Sequence, residues 1–356
     1  MRPVITFGLI GGGWRATFYL RIAAMLPHRF RVSGILLRHP EKYEELLAKW
    51  NVAVYRSADE LARDSDFLVL AVSKNGVPAW LSELSQAGIP VLAETPPATS
   101  LTEFDQLTAI AASDARIQVA EQYPLQPHHQ ARTACLQSGA IGDVHHVQVS
   151  AGHGYHGVSL IRKWLAIDPA QSCEIIGSRF CMPIGDVPYR DQTVPDDREG
   201  EEVQEIAIFR FSSGKSAVLD FSRSQYFSRI RANRILIRGT LGEIRDNALV
   251  RKTGPGLFET LSLERVQNGQ EGSLSPLSLL EIRAGANVLY RNPFSPYPLS
   301  DEEIGIADAL VKMDTYLRQG VSFYSLTEAL ADVRLALAME RSFTEVKPVE
   351  VGFIAN

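Results

Sequence analysis

The chain has 356 residues, 45% of them hydrophobic, and its 41 acidic against 36 basic side chains leave a net charge of −5. That length sets a prior of two domains, and the apolar share is ordinary for a protein with a large core. The acidic balance offers no reason to expect nucleic acid or an anionic membrane as a partner. The longest clean apolar runs, such as 67–72, are strand-length and far short of a membrane span. Cys135, Cys173 and Cys181 are too few and too scattered for a disulfide framework, and no Cys-x-x-Cys pair suggests zinc. The N-terminus reads as a strand and lacks a leader-peptide pattern, so the cytosol is the expected compartment.

Residues 4–10 form an apolar run that reads as a buried parallel strand. It ends in Gly11-Gly12-Gly13, and a helical pattern opens at Trp14 and runs to 26. Gly11, Gly13 and Ala16 fit G-x-G-x-x-A in the strand–turn–helix context that gives this motif its meaning. The first glycine turns the chain tightly. The second lets backbone N–H groups approach a pyrophosphate, and the small third residue lets the helix pack closely on the strand. The helix start then offers amides and a positive dipole end to the anion.

A second strand is expected at 31–37 and a charged amphipathic helix at 40–50. Ser57-x-x-Glu60 opens a short helix to about 63, and 66–72 reads as an apolar strand. A helix over 77–86 stops at Gly88. A strand at 89–93, a helix from Ser100-x-x-Glu103 to about 112 and a strand at 116–120 follow. Apolar strands alternating with helices imply a doubly wound α/β fold with its parallel sheet covered on both faces. Its ligand crevice lies at the carboxyl ends of the strands. There the sequence places Gly11 to Arg15, Arg38, Ser73 to Asn75, Glu94 to Pro96, and Gln122.

Past about 121 the pattern changes. Residues 1–121 are therefore expected to be a dinucleotide-binding domain and 122–356 a second, α+β domain, to which the family resemblance given below adds substrate binding and oligomerisation. In the second, 127–138 reads as a helix stopped by Gly139, 144–150 as a strand and 155–165 as a helix. Strands at 203–211 and 216–223 flank the hairpin signal Ser212-Ser213-Gly214-Lys215. Two more, at 234–238 and 243–250, flank Gly239-Thr240-Leu241-Gly242, which makes a largely antiparallel open sheet. The stretches 183–202 and 252–275 are rich in Pro, Gly, Ser and charge and read as loops. Ser300-x-x-Glu303 and Ser325-x-x-Glu328 cap the last two helices.

With these elements in order, the chain resembles the glucose–fructose oxidoreductase and inositol dehydrogenase family (Gfo/Idh/MocA). The likeness rests on Gly11-Gly12-Gly13-Trp14-Arg15-Ala16, on Ala93-Glu94-Thr95-Pro96 and on Tyr155-His156-Gly157-Val158-Ser159-Leu160-Ile161-Arg162. It extends to Ile237-Arg238-Gly239-Thr240-Leu241-Gly242 and Tyr324-Ser325-Leu326-Thr327-Glu328-Ala329-Leu330. The resemblance implies an NAD(P)-dependent enzyme of two domains that acts on sugars, inositols or related polyols. It also implies a homodimer or homotetramer built through the C-terminal sheet. The family's usual Glu-Lys-Pro is Glu94-Thr95-Pro96 here, and its His-x-x-Asp ends in Ser159. Two of three usual catalytic polar groups have lost their charge, and His156 remains. Three readings stay open: a dehydrogenase, a glycosidase or lyase that uses bound NAD without net redox, and a non-catalytic nucleotide-binding protein.

Imidazole titrates near neutral pH, so His156 is the candidate acid–base group, with a structural role as the alternative. Thr95 can hydrogen-bond but cannot serve as a base unaided. Ser159 and Lys163 follow His156 at helical spacings of three and seven, and Lys163 either replaces the missing lysine or is a solvated helix lysine. Tyr155, His153, His156 and Ser159 are the substrate-binding candidates. Six of the eight histidines fall within 128–156, at His128, His129, His145, His146, His153 and His156. Their spacings do not suit a metal site, and none is expected. A polar pocket lining competes with scattered surface and core roles.

Coenzyme choice is read from an absence. Enzymes of this fold that use NAD usually place Asp or Glu about 20 residues past the glycines, on the ribose hydroxyls. No acid lies between Gly13 and Pro40, and Arg38 and His39 follow the expected position, Leu37. A guanidinium pairs with a 2′-phosphate in a forked geometry, so NADP is expected in preference to NAD. Alternatively Arg38 stacks on adenine or faces water. Gly11, Gly13, Trp14 and Arg15 are assigned to the coenzyme phosphates, with Arg15 also able to serve substrate. Arg38 and His39 are assigned to the adenosine ribose. Ser73, Asn75, Glu94, Thr95, Pro96 and Gln122 are assigned to the nicotinamide end.

Overall fold

The computed structural model describes residues 4–185 and 199–352. They pack into two compact units. One comprises the chain up to Pro127 with Gln267–Leu280 and Asn292–Val333; the other comprises His128–Val266, Glu281–Arg291 and the residues from Arg334.

The first unit alternates strand and helix. Its elements are β1 (Ile5–Ile10), α1 (Trp14–Met25), β2 (Phe30–Leu36), α2 (Glu44–Trp50), β3 (Val54–Tyr55) and α3 (Ala58–Arg63). Then come β4 (Phe67–Leu70), α4 (Val77–Gln86), β5 (Val91–Ala93), α5 (Leu101–Ala111) and β6 (Ile117–Val119). The six strands lie in the order β3-β2-β1-β4-β5-β6, and every described pairing between them is parallel. All residues of β1, β4, β5 and β6 are buried, as strands covered on both faces must be. Strand order reverses between β1 and β4, and the carboxyl ends of those two strands flank the crevice typical of doubly wound sheets.

The single helix expected over 40–50 is instead a 3₁₀ turn, Pro40–Tyr43, followed by α2. Pro40 suits a helix start, and Asn51, left-handed at φ 47°, ends α2. The edge strand β3 is only two residues long and carries no periodicity from which a sequence could announce it. Ser57 and Ser100 cap α3 and α5 as expected, each accepting the amide three residues on.

The second unit begins along α6 (Pro127–Gln137) and continues through β7 (Val144–Ser150), α7 (Gly154–Leu165), β8 (Cys173–Ile184), β9 (Gly200–Phe211) and β10 (Ser216–Ser222). It goes on to β11 (Arg234–Gly239), β12 (Gly242–Arg245), β13 (Ala248–Gly254), β14 (Leu257–Asn268), β15 (Ser278–Ala284) and β16 (Asn287–Arg291). The last two helices are α8 (Asp301–Gln319), within the first unit, and α9 (Leu326–Glu345); β17 (Val349–Val351) closes the described chain. Eleven strands form one sheet, β16-β15-β14-β13-β12-β11-β7-β10-β9-β8-β17. It is largely antiparallel, with β10 parallel to β7. One face is apolar and covered: Leu219 lies under Gly157 of α7, and Phe343 of α9 lies over Gly177 of β8. Neither glycine has room for a Cβ, so both helices sit close on the strands.

Three expectations are corrected here. The strand read at 243–250 is two strands, broken by a turn at Asp246, which is left-handed at φ 52°. The loop read at 252–275 is mostly sheet, because β14 covers 257–268 with alternating polar side chains that composition mistook for a loop. Of the loop read at 183–202, the two ends belong to β8 and β9, and 186–198 lie outside the described residues. No helix among the described residues is long and apolar enough to cross a membrane.

Candidate active site

In the first unit the glycine turn sits at the carboxyl end of β1. Gly11 has φ +101°, and a Cβ there would collide with the Ala71 carbonyl, so no other residue fits without strain. At Gly12 a Cβ would stand 2.8 Å from the Tyr43 ring and 2.9 Å from Leu37. Gly13 is the opposite case. It is exposed, it is the N-cap of α1, and nothing lies within 4 Å of where its Cβ would be. Ala16 is fully buried, as the third motif position requires for close helix–strand packing. The turn is thus tight on its protein side and open on its solvent side, and α1 carries no acidic residue in its first turn. These are the properties a pyrophosphate cradle needs, so the residues present fit a dinucleotide.

Behind the turn, Arg15 is a hub. Its Nη1 donates to Glu302 at 2.8 Å, and its Nε lies 3.4 Å from Glu94. The guanidinium also stands 5.1 Å from the Trp14 ring centre and 5.3 Å from that of Phe18. Burial works against its charge, but Glu94 and Glu302 overcompensate and push its pKa above the ordinary arginine value. Glu94 also accepts from the Tyr19 hydroxyl at 2.5 Å. Burial first, and then Glu94, raise the Tyr19 pKa well above its usual value, so the phenol remains a donor. With its amide oriented to satisfy both ends, Gln122 donates to Ala120 O at 2.8 Å and accepts from Arg15 Nη2 at 3.3 Å. The structure therefore joins Arg15, Glu94 and Gln122 in one network, with Thr95 and Pro96 half-buried beside it.

Arg38 and His39 are both exposed just past β2. His39 Nδ1 lies 3.2 Å from Glu41, while Arg38 makes no ion pair among the described residues. Ser73 and Asn75 are exposed after β4. Between them lies Lys74, also exposed, to which sequence reasoning gave no role. It falls within the stretch 73–75 that the sequence places at the crevice, at the strand end where the order reverses.

In the second unit, α7 presents Tyr155 and His156 in its first turn, both buried, with His153 as its half-buried N-cap. The rings of His153 and His156 are 5.1 Å apart, edge to face, and that of Tyr155 is 5.6 Å from His156. Tyr226, which the sequence did not single out, lies 2.5 Å from His153 Nδ1 through its hydroxyl. Ser159 donates to the His156 carbonyl at 2.9 Å, so its hydroxyl is engaged with the helix backbone. Lys163 is exposed on a helix that is otherwise buried almost throughout.

Of the six histidines within 128–156, the other four have different surroundings. His129 is core: Arg132 Nη1 lies 3.2 Å from its Nδ1, the Trp164 ring is 5.4 Å away, and burial followed by Arg132 and His128 holds its pKa well below the usual value. His128 neighbours it on α6. His145 is exposed on β7, and His146 Nδ1 lies 2.9 Å from the Ser216 hydroxyl. Among the described residues no three His, Cys, Asp or Glu side chains converge as a metal would require.

Residues 5–122 match the family described as "Oxidoreductase family, NAD-binding Rossmann fold". No curated protein matches the chain. Among solved structures, the chain is similar to an oxidoreductase from Agrobacterium radiobacter in complex with NAD+, L-tartaric acid and magnesium, with 17% identity and a TM-score of 0.69 over 98% of each chain. It is similar to levoglucosan dehydrogenase in complex with NADH, with 16% identity and a TM-score of 0.68 over 99% of this chain and 100% of that one. A myo-inositol dehydrogenase from Corynebacterium glutamicum shares 16% identity at a TM-score of 0.65, over 99% of this chain and 100% of the other. At this identity the likeness is one of fold, and it spans both units.

Proposed function

We propose that this chain, whose residues 5–122 belong to the oxidoreductase family with the NAD-binding Rossmann fold, passes a hydride between a nicotinamide coenzyme and a carbon of a sugar- or polyol-like substrate. The observation that carries the reading is the contrast between Gly11, closed by Ala71, and Gly13, open at the start of α1. Gly11, Gly13, Trp14 and the first amides of α1 hold the diphosphate. Arg38 and His39 serve the adenosine ribose, and Arg38 favours NADP by pairing with a 2′-phosphate. Ser73, Asn75, Glu94, Thr95, Pro96 and Gln122 border the nicotinamide ribose, and Arg15 and Tyr19 keep the Glu94 carboxylate oriented.

The coenzyme, when bound, supplies hydride acceptance and return at its nicotinamide ring. The chain supplies binding, orientation and proton handling. His156 takes the hydroxyl proton as the carbon is oxidised and returns it on reduction. His153, Tyr155 and Ser159 orient the substrate, and Thr95 contributes a contact. Lys163 supplies positive charge from the outer face of its helix. In this reading the work divides at residue 121/122, the second part also building a homodimer or homotetramer through its sheet in the cytoplasm. The exposed Ile206 and Ile208 of β9 and Phe180 of β8 support that last point.

The test is calorimetric titration with NADPH and NADH, wild type against Arg38→Ala, followed by a polyol and sugar panel read by nicotinamide absorbance. The expected result is NADPH preference in the wild type, lost by about tenfold in the variant, which corresponds to about 1.4 kcal/mol. Equal affinity of both proteins for both coenzymes removes Arg38 from the site. A second reading, a nucleotide-binding protein without turnover, is favoured by the uncharged Thr95 and Ser159. Tight coenzyme binding with no turnover on any substrate, and no effect of His156→Ala on either, would establish it.

A further inference from the structure

Resting on that reading and adding a residue to it, we propose that Glu302 of α8 is a positioning residue for the nicotinamide end of the coenzyme. It anchors the Arg15 guanidinium, and Arg15 in turn presets the Glu94 carboxylate. All three residues belong to the first unit. The chain brings Glu302 to Arg15 by fixing the start of α8. Ser300 and Glu303 cap it reciprocally, Ser300 N donating to Glu303 Oε2 at 2.8 Å and Glu303 N to Ser300 Oγ at 3.2 Å. Glu303 also lies 2.6 Å from Nε of Arg21, so α8 holds α1 at two points along its length. One turn on from Glu302, a Cβ at Gly305 would stand 2.9 Å from the Gln122 carbonyl oxygen, so the helix sits close to another partner of Arg15.

A guanidinium has donors and no acceptor, so the direction of these bonds is settled by chemistry. Arg15 Nη1 donates to Glu302 at 2.8 Å, Nη2 donates to Gln122 at 3.3 Å, and Nε faces Glu94 at 3.4 Å. One planar fork thus reaches three acceptors on different segments, which the point charge of a lysine cannot do. The two carboxylates differ in their surroundings. Glu94 is buried and Glu302 half-buried. A buried carboxylate needs a fixed partner, whereas a half-buried one has water to turn to. Glu302 is therefore the outer anchor and Glu94 the group that is held, with Tyr19 donating to its other oxygen at 2.5 Å. Without Glu302 the long Arg15 side chain loses its shortest contact and regains rotamers that a bound coenzyme must then freeze. Glu94 directly follows β5, and the sheet order β2-β1-β4-β5 puts it on the far side of the glycine turn from Arg38. The network thus acts on the half of a dinucleotide that Arg38 does not serve.

The experiment is calorimetric titration of the full chain with NADPH and NADH, and with 2′-phosphoadenosine 5′-diphosphate and ADP, which keep the adenosine and the diphosphate but lack the nicotinamide riboside. Glu302→Gln is expected to weaken the full coenzymes by about two- to tenfold, the range that one net hydrogen bond spans, and to leave the two shorter ligands unmoved. In an Arg15→Met background the same substitution is expected to weaken the coenzymes no further, because Glu302 acts through Arg15. A merely structural role for Glu302 would weaken long and short ligands alike. That result overturns the proposal, as do unchanged or tightened coenzyme binding and losses that add in the double variant. A melting curve superimposable on the wild type confirms that the variant is folded. Should it be destabilised, Glu302→Asp, which keeps the charge at the helix start but shortens the reach to Arg15, is judged by the same difference between long and short ligands. If the wild type binds none of these ligands, the dinucleotide reading falls and the proposal with it. If it binds them and the variants do not separate long from short, only the proposal falls.

Discussion

The two units carry their candidate sites in different materials. In the first, the proposed site is backbone: Gly11 and Gly13 matter for what they lack, and the groups proposed to face the ligand are amides at a helix start. In the second, the site is side chains: His153, His156 and Tyr226 come from a helix and a turn separated by some seventy residues. A backbone site is encoded locally, because the required φ angle and bare Cβ position are properties of consecutive residues. A side-chain site is encoded globally, because the Tyr226 ring beside His153 is delivered by a turn distant in sequence.

That contrast is sharpened first by removing the acid–base imidazole. His156→Ala should lower kcat by on the order of 10²- to 10⁴-fold, the usual contribution of a positioned acid or base. Coenzyme affinity by calorimetry should not change. A comparable fall in coenzyme affinity would mean that the histidine serves binding instead.

The glycines make the next largest contrast. Gly11→Ala forces a left-handed angle and a collision with Ala71, and should cost at least about 1–3 kcal/mol in the unfolding free energy. Gly13→Val meets open space and should melt like the wild type, yet weaken NADPH binding by about tenfold or more. If Gly13→Val binds coenzyme normally, the cradle reading fails even though the fold stands.

The smallest effect concerns pH. His129 is buried and held neutral, its pKa pushed down by burial and then by Arg132 and His128. Its folded value lies below its unfolded one, so the unfolded chain binds the proton first as pH falls. Stability from this group is therefore complete above about pH 6.5 and declines below it. Urea midpoints should fall on acidification in the wild type, and fall less in His129→Asn. Identical pH slopes in both proteins would remove His129 from the acid-sensitive core.

Much of the fold is legible because it depends on short-range order. The runs at β1 and β4 are apolar throughout, so they announce strands covered on both faces. Ser57, Ser100 and Ser300 cap helices because a hydroxyl three residues before an amide is a local geometry. β14 escaped notice because its exposed face is as polar as a loop, and only pairing with β13 makes it a strand. Asp246 turns the chain inside 243–250, and its left-handed φ breaks the expected single strand in two.

The site divides along the same line. Motif spacing pointed to the glycine turn, and the family resemblance to Glu94 and His156, as candidates. It assigned Arg15 to phosphate or substrate, whereas packing binds it to Glu94 and Glu302, the latter 287 residues away in sequence. It grouped six histidines by proximity along the chain, whereas the folded chain sets the rings of His153 and His156 edge to face and sends His129 into the core. The amino-acid order alone settled the tight turn at Gly11 and the capped starts of α3, α5 and α8, because those outcomes depend on neighbouring residues. Which charged groups meet, and which ring completes the histidine pair, was decided only by the folded chain, because strand pairing joins residues that no local pattern connects.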